Sequence, residues 1–193
     1  NLEYDTIYHE HLSYLSLKPI VKFCKNFEIE VFDVEFNSIH GGTYRYFFGK
    51  IGTRKISENV NKFIKLEEEK RIFEKNRLLE FAEDVKKHKI ELNTLLWSLK
   101  KDGKKIVGIS APAKGNALTN YCKIGTDLLD YITEVNPLKI GKFTPGMHIP
   151  IVSEDRLLED KPDYGLILAW NFAESIISNN QKFRENGGKF IIP

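Results

Sequence analysis

Cysteine is scarce in this 193-residue chain: there are two, Cys24 and Cys122, far apart in sequence. That excludes a disulfide framework and a cysteine metal knuckle, and it suits a reducing, cytoplasmic compartment. Long apolar runs are missing as well. The longest, Tyr164 to Trp170, falls far short of the ~20 residues that cross a bilayer, which argues against a membrane protein. Neither sign of charge dominates. Against 29 Lys and Arg stand 27 Asp and Glu, a net +2 that is too balanced to argue for a nucleic-acid partner. Methionine occurs once, at Met147, and neither an initiator Met nor a signal sequence opens the chain, so a fragment is expected. There is no internal repeat and no low-complexity tract. What is present, 41% hydrophobic residues over this length, makes wholesale disorder unexpected. It predicts one domain, or one domain and a piece of another.

Periodicity supplies the architecture. Leu17, Ile20, Val21 and Cys24 share one helical face, so a helix is predicted from an N-cap at Ser16 to about Phe27, with Pro19 tolerated in its first turn. Residues 28–36 alternate and are β-branched, 37–42 read as a turn, and 43–48 read as a second strand. Together they predict an antiparallel hairpin at a sheet edge. Residues 57–102 read as a connecting helix or helix pair, ended by Gly103 as C-cap. From Lys104 continuous apolar strands alternate with helices, which means a parallel sheet covered on both faces. The fold class is therefore α/β. A Rossmann-like domain at 104–193 is preceded by a helical connector at 57–103 and by the tail of another sheet domain at 1–56.

Three strand ends of the C-terminal domain carry polar groups, and in open α/β sheets ligands lie beyond the carboxyl ends of strands. They are Ser110 to Asn116 with Lys114, Glu134 to Asn136 with Lys139, and Trp170-Asn171; a nearby loop adds His148. Lys114, Asn116, Asn136, Lys139, His148 and Asn171 are candidates for a polar small-molecule site, with capping and turn chemistry as the alternative. The loop at 110–116 is neither a Walker A loop nor G-x-G-x-x-G, and it reads equally as an anion site or a plain turn.

The segment Tyr8-His9-Glu10-His11 invites a metal reading, which its spacing argues against. Metalloprotease histidines stand at i and i+4 on a helix, whereas these stand at i and i+2, and no third ligand cluster appears. Acid–base chemistry suits His11, Tyr8 and Glu10 better, against the alternative of exposed polar residues before a helix. His40-Gly41-Gly42-Thr43-Tyr44-Arg45 is read as a hairpin turn, with Arg45 facing out.

Taken together and in order, these segments resemble one family: the S-adenosylmethionine-dependent sugar C-methyltransferases of deoxysugar biosynthesis. The resemblance is carried by Tyr8-His9-Glu10-His11-Leu12-Ser13-Tyr14, His40 to Arg45, Ala111-Pro112-Ala113-Lys114-Gly115-Asn116, Asn136-Pro137 with Lys139-Ile140-Gly141, Pro145 to Pro150, and Ala169-Trp170-Asn171-Phe172. It implies that residues 1–56 end a methyltransferase domain, whose sheet the hairpin closes, and that the C-terminal domain helps hold a nucleotide-sugar. It implies S-adenosyl-L-methionine as methyl donor. The family's Gly-rich cofactor loop and zinc cysteines are not found here, so this chain alone is expected to be inactive. The implied reaction removes a proton beside the ketone of a nucleotide-linked keto-deoxysugar, and the enolate attacks the methyl sulfonium. The resemblance makes His11 the base, with Tyr8 and Glu10 orienting the sugar or stabilising the enolate. Lys114, Asn116, Asn136, Lys139, His148, Asn171 and Arg45 become candidate substrate contacts. The expected partners are the nucleotide-linked sugar and the missing N-terminal part or a partner chain, with no nucleic acid, membrane or metal. The competing reading is a non-catalytic nucleotide-sugar-binding or assembly module without its own methyl-donor site.

Overall fold

The computed structural model describes Leu2–Pro193, the side chain of His40 excepted. The chain forms two compact units. One comprises the residues up to Glu10 together with Asp84–Pro193; the other is His11–Glu83. The expected boundaries at 56/57 and 103/104 follow changes of sequence texture, whereas the compact units divide at 10/11 and 83/84.

The unit His11–Glu83 is built on an antiparallel hairpin, β1 (Ile29–Asn37) and β2 (Thr43–Lys50), covered by helices α1 (Leu17–Cys24) and α2 (Glu58–Glu69). A β-bulge between Val31 and Asp33 interrupts the alternation, so that Val31 and Val34 both face inward, where they meet Leu17 of α1 and Val60 of α2. A one-turn helix at Ile39–Gly41 joins the strands. The cap of α1 corrects the sequence expectation. Ser16 stands at the N-cap position, but its side chain makes no capping bond. Instead the buried Glu67 carboxylate accepts the Leu17 and Lys18 amides, at 2.6 and 2.9 Å. Those are orphan donors of the first turn, and a charged acceptor from another helix binds them more strongly than a neighbouring hydroxyl.

Of the two alternatives for residues 57–102, a single helix or a pair, the structure has the pair, α2 and α3 (Lys75–Lys101). The chain turns between them, with Arg71 in the left-handed region at φ 57°. At the far end Gly103, φ 73°, closes α3 as expected: its amide bonds Lys100 O and that of Lys104 bonds Leu99 O.

The other unit holds a five-stranded, all-parallel sheet of β3 (Ile106–Ile109), β4 (Ile132–Glu134), β5 (Ile151–Ser153), β6 (Tyr164–Ile167) and β7 (Lys189–Ile191). Its order is β5-β4-β3-β6-β7. The helices are α4 (Ala113–Cys122), α5 (Arg156–Glu159), α6 (Ala173–Asn179) and α7 (Gln181–Glu185). Every residue of β3 is buried, as a central parallel strand requires. Val107 and Ile109 pack with Leu157 of α5 and Phe183 of α7. Gly115 lets α4 approach β6 closely: a Cβ there would lie 2.7 Å from Leu168 Cβ. The chain runs outward from β3 to β4 and β5, then returns to β6 and β7. The strand order thus reverses between β3 and β6, where open α/β sheets place their ligands. Three elements are shorter than the sequence pattern predicts: a strand expected over 129–135 is β4, starting at Ile132; one expected over 164–170 ends at Ile167; and a helix expected over 173–186 breaks at Asn180.

Candidate functional site

A cavity of about 590 Å³ lies over the carboxyl ends of β3 and β4, within the size range of small-molecule sites. Its floor is apolar, from Ala111, Ala117, Ile132, Leu138, Phe143 and Leu168. Its polar groups come from three places. Asn116, Thr119 and Asn120 lie on α4; Lys139, Lys142 and Thr144 lie on the loop after β4; and Tyr8 and His9, with Ile7, form a wall from the start of the chain.

The loops around it are tied together by Glu134, at the end of β4. Its Oε2 accepts the Ala111 amide at 3.0 Å, and its Oε1 accepts the amides of Val135 (2.9 Å) and Asn136 (3.1 Å). Lys139 Nζ lies 3.4 Å from Oε2 and donates to Ala111 O at 2.8 Å. Burial pushes the Glu134 carboxyl upward, but the Asn136, Ala111 and Val135 amides and Lys139 outweigh it and hold it below the usual range. The turn after β3 is thereby stitched to the turn after β4. Ser110 is held at φ 67° where the chain bends from β3 toward α4.

Asn120 ties the far rim. Its Nδ2 donates to Asn116 O (2.9 Å) and to Pro145 O (3.0 Å). The adjacent Gly146 has φ 83°, and a Cβ on it would fall 1.9 Å from Asn120 Oδ1. Only glycine satisfies both constraints. The loop closes through Thr144, whose Oγ1 accepts the Ile149 amide at 3.0 Å.

Of the residues singled out from sequence, Tyr8, Asn116 and Lys139 line the cavity. Lys114 does not. Its ammonium lies over the Trp170 ring, 4.8 Å from the centroid. Asn136 is exposed, and its Oδ1 accepts the Leu138 amide at 3.0 Å. His148 is exposed in the left-handed region at φ 54°. Both side-chain polar atoms of Asn171 are buried with no hydrogen-bond partner among the described residues. Glu10 is exposed at the end of the first unit's opening segment; His11, exposed, opens the other unit. Arg45 also belongs to that other unit, opposite Glu35 on β1, with Nη1 3.4 Å from Oε2 in an exposed pair. The sequence reading did not single out His9, Asn120 or Lys142 for this site. His9 lies inside the Tyr8–Tyr14 segment, Lys142 falls directly after Lys139-Ile140-Gly141, and Asn120 is one turn beyond Asn116 on the same helix face.

Beside the cavity a second polar cluster anchors the start of the chain. Tyr4 and Asp5 are buried in a one-turn helix, Tyr4–Thr6. The Tyr4 hydroxyl lies 3.0 Å from His88 Nδ1 and 3.4 Å from Cys122 Sγ. Asp5 Oδ2 accepts the Trp170 indole N–H at 2.6 Å. Burial raises the Asp5 carboxyl above its ordinary range, against the opposing pull of Trp170 and Lys114. Among the described residues no group of three or more His, Cys, Asp or Glu is placed to hold a metal. No helix there is long and apolar enough to cross a membrane.

A family model described as the C-methyltransferase C-terminal domain matches residues 38–193. The chain belongs to this C-methyltransferase family. It is similar to the C-methyltransferase NovU of Streptomyces niveus, with 35% identity over 194 residues, covering 100% of this chain and 46% of NovU. The chain spans about half the length of that curated relative. The match to the C-methyltransferase model takes in the whole parallel sheet and every cavity residue except Ile7, Tyr8 and His9.

Proposed function

We propose that this C-methyltransferase chain receives a nucleotide-linked keto-deoxysugar. The nucleotide part would lie over the cavity's apolar floor, its diphosphate near Lys139, Lys142 and the first turn of α4. Asn116 would contact it directly, while Lys114, Asn136 and His148 are proposed to act in diphosphate recognition or domain closure. Asn171 offers an unpartnered buried amide at the carboxyl edge of β6, a position that favours a polar ligand group. Arg45 is retained as a substrate contact on the resemblance alone.

One observation supports this reading most: Tyr8 and His9, from the segment Tyr8-His9-Glu10-His11, wall the same cavity as Lys139 and Lys142. A tyrosine and a histidine opposite a cationic rim at one cavity suit a polar substrate with an anionic tail. In the proposed reaction the C–H bond beside the ketone breaks and its proton passes to the His11 imidazole. Tyr8 and Glu10 orient the sugar or stabilise the enolate, the Tyr8 hydroxyl being the donor to its oxygen as charge develops there.

S-adenosyl-L-methionine would supply an electrophilic methyl group. The described residues do not fit it. The turns leaving β3 and β4 are not glycine-rich, and Glu134, an acidic residue at a strand end, already has both oxygens occupied by backbone amides and Lys139. We therefore infer that the donor is held by residues outside this chain, and that the chain alone is inactive. That same misfit favours a second reading, a nucleotide-sugar-binding or assembly module. We further propose a cytoplasmic setting, with no nucleic-acid or membrane partner.

The deciding experiment replaces His11 by Ala in the whole protein and measures methyl transfer to a nucleotide-linked keto-sugar. A fall in kcat of about 10² or more is expected for loss of a general base. Turnover near wild type would remove His11 from that role. No turnover by the unmodified whole protein, with a nucleoside diphosphate still bound, would favour the binding module.

A further inference from the structure

We propose that Asp5 is a positioning residue: through the Trp170 indole it fixes the Ile7–His9 wall of the cavity against the carboxyl edge of the parallel sheet. The inference rests on the proposed reading of that cavity as a substrate site. Asp5 is 2% exposed, and its side chain meets Trp170 across 165 residues of sequence. A carboxyl group is costly to bury, and an apolar side chain would fill the same space more cheaply. The indole N–H, 2.6 Å from Oδ2, is a short donor aimed at that carboxyl. The other oxygen, Oδ1, has no hydrogen-bond partner among the described residues. The Asp5 side chain is therefore held by this one bond.

Trp170 is itself held. It lies in the one-turn helix Trp170–Phe172 just after β6, and Lys114 covers its ring from the first turn of α4. One indole thus joins three pieces: the segment after β6, the start of α4, and the Tyr4–Thr6 turn. Tyr4 is a second anchor, 7% exposed, with its hydroxyl between His88 and Cys122. From these anchors to the cavity wall is a very short run. The Ile7 amide bonds Tyr4 O at 3.0 Å and the Tyr8 amide bonds Thr6 O at 3.1 Å. Tyr8 is three residues from Asp5, so a shift at the anchor is passed on with little slack. Misplacement by about 1 Å at a reacting group can cost about 10²-fold in rate.

The test compares Trp170→Phe, Asp5→Ala and Asp5→Asn in the whole protein. Trp170→Phe keeps a ring under Lys114 and removes the N–H. Asp5→Asn keeps an oxygen acceptor toward the indole. Hydrogen exchange over residues 4–9 is expected to rise at least about tenfold in Trp170→Phe and Asp5→Ala, with β3 and β6 unchanged. Turnover on a nucleotide-linked keto-sugar is expected to fall about 10- to 100-fold in those two, with KM held within about threefold. Asp5→Asn is expected to stay near wild type on both readouts. Unchanged exchange in Trp170→Phe and Asp5→Ala would overturn the proposal, and so would raised exchange with unchanged turnover. If Trp170→Phe unfolds globally, exchange rises throughout β3 and β6, and the contrast between Asp5→Ala and Asp5→Asn decides instead. If the unmodified protein shows no turnover, the functional reading fails, and the exchange result alone decides whether Asp5 holds the wall.

Discussion

The two units solve the same problem in opposite ways. In the parallel sheet the inner strands are closed in on both faces, and the residues that do this are contiguous and apolar: Ile106 to Ile109 and Gly165 to Ile167 are all buried. The hairpin unit has two strands and covers one face. Val31 and Val34 are buried, while on the same face Phe36 and Phe48, paired with Tyr44 and Val31 at its two ends, are 57% and 50% exposed. A two-stranded sheet is marginal by itself and relies on packed helices, here α1 and α2. The lesson is about where precision comes from. The doubly covered sheet can hold loops in fixed positions at its carboxyl edge, and the cavity stands there. The hairpin unit depends on a few single bonds, of which Glu67 to the first turn of α1 is the clearest.

The sharpest break of this comparison is in the cores. Leu166→Ala, at a fully buried position of β6, is expected to cost about 2–5 kcal/mol in urea denaturation. Phe48→Ala, half-exposed at the end of the hairpin's covered face beside Tyr46, should cost less, about 1 kcal/mol. Similar costs for both would mean that Phe48 is covered in solution. Next in size is Gly146→Ala. It faces a left-handed backbone and a collision with Asn120, and about 1–3 kcal/mol of destabilisation is expected, with weaker binding of a nucleoside diphosphate by calorimetry. An unaffected melting temperature would show that the rim loop yields freely.

Within the hairpin unit Glu67→Ala should cost about 1.5–3 kcal/mol, because two charge-assisted bonds to the α1 amides are lost. Ser16→Ala should be nearly neutral, since its side chain caps nothing. The reverse order would return the cap to Ser16. The smallest effect is a pH dependence in the other unit. The Glu134 carboxyl is held below its usual range when folded, so its stabilisation is complete above the unfolded value near 4.3. It is lost as pH falls through the lower folded value. Glu134→Gln should therefore narrow the gap to wild type in stability on acidification below about pH 4, followed by thermal melts across pH. A gap that stays constant into acid would mean that its carboxylate charge contributes nothing there.

Much of the fold was legible because it is written in local periodicity. The helix face of Leu17, Ile20, Val21 and Cys24, the β-branched and aromatic run of β1, the buried run of β3 and the cap at Gly103 all follow from short-range pattern, whereas the β-bulge in β1 does not. The break between α2 and α3 was harder, because charged residues are good helix formers and nothing in 70–74 is Gly or Pro. The site was legible in part for a similar reason. Strand ends and polar loops pointed to Asn116 and Lys139, but not to how Lys114 is used. That side chain lies over Trp170, 56 positions away in sequence, and no local signal announces the pairing.

By itself, the sequence determined which segments become strand or helix, that the last 90 residues form a covered parallel sheet, and which family the motifs resemble. These depend on spacing, and side-chain spacing is a property of the chain before it folds. Tertiary structure alone decided that Glu67 caps α1, that Glu134 and Lys139 join two turns, that Asn120 needs a glycine at 146, and that Asp5 meets Trp170. Each is a contact that local spacing does not announce, set by elements brought together in the fold. A buried polar group takes the nearest partner that the packing presents, and which partner that is depends on the arrangement of whole elements.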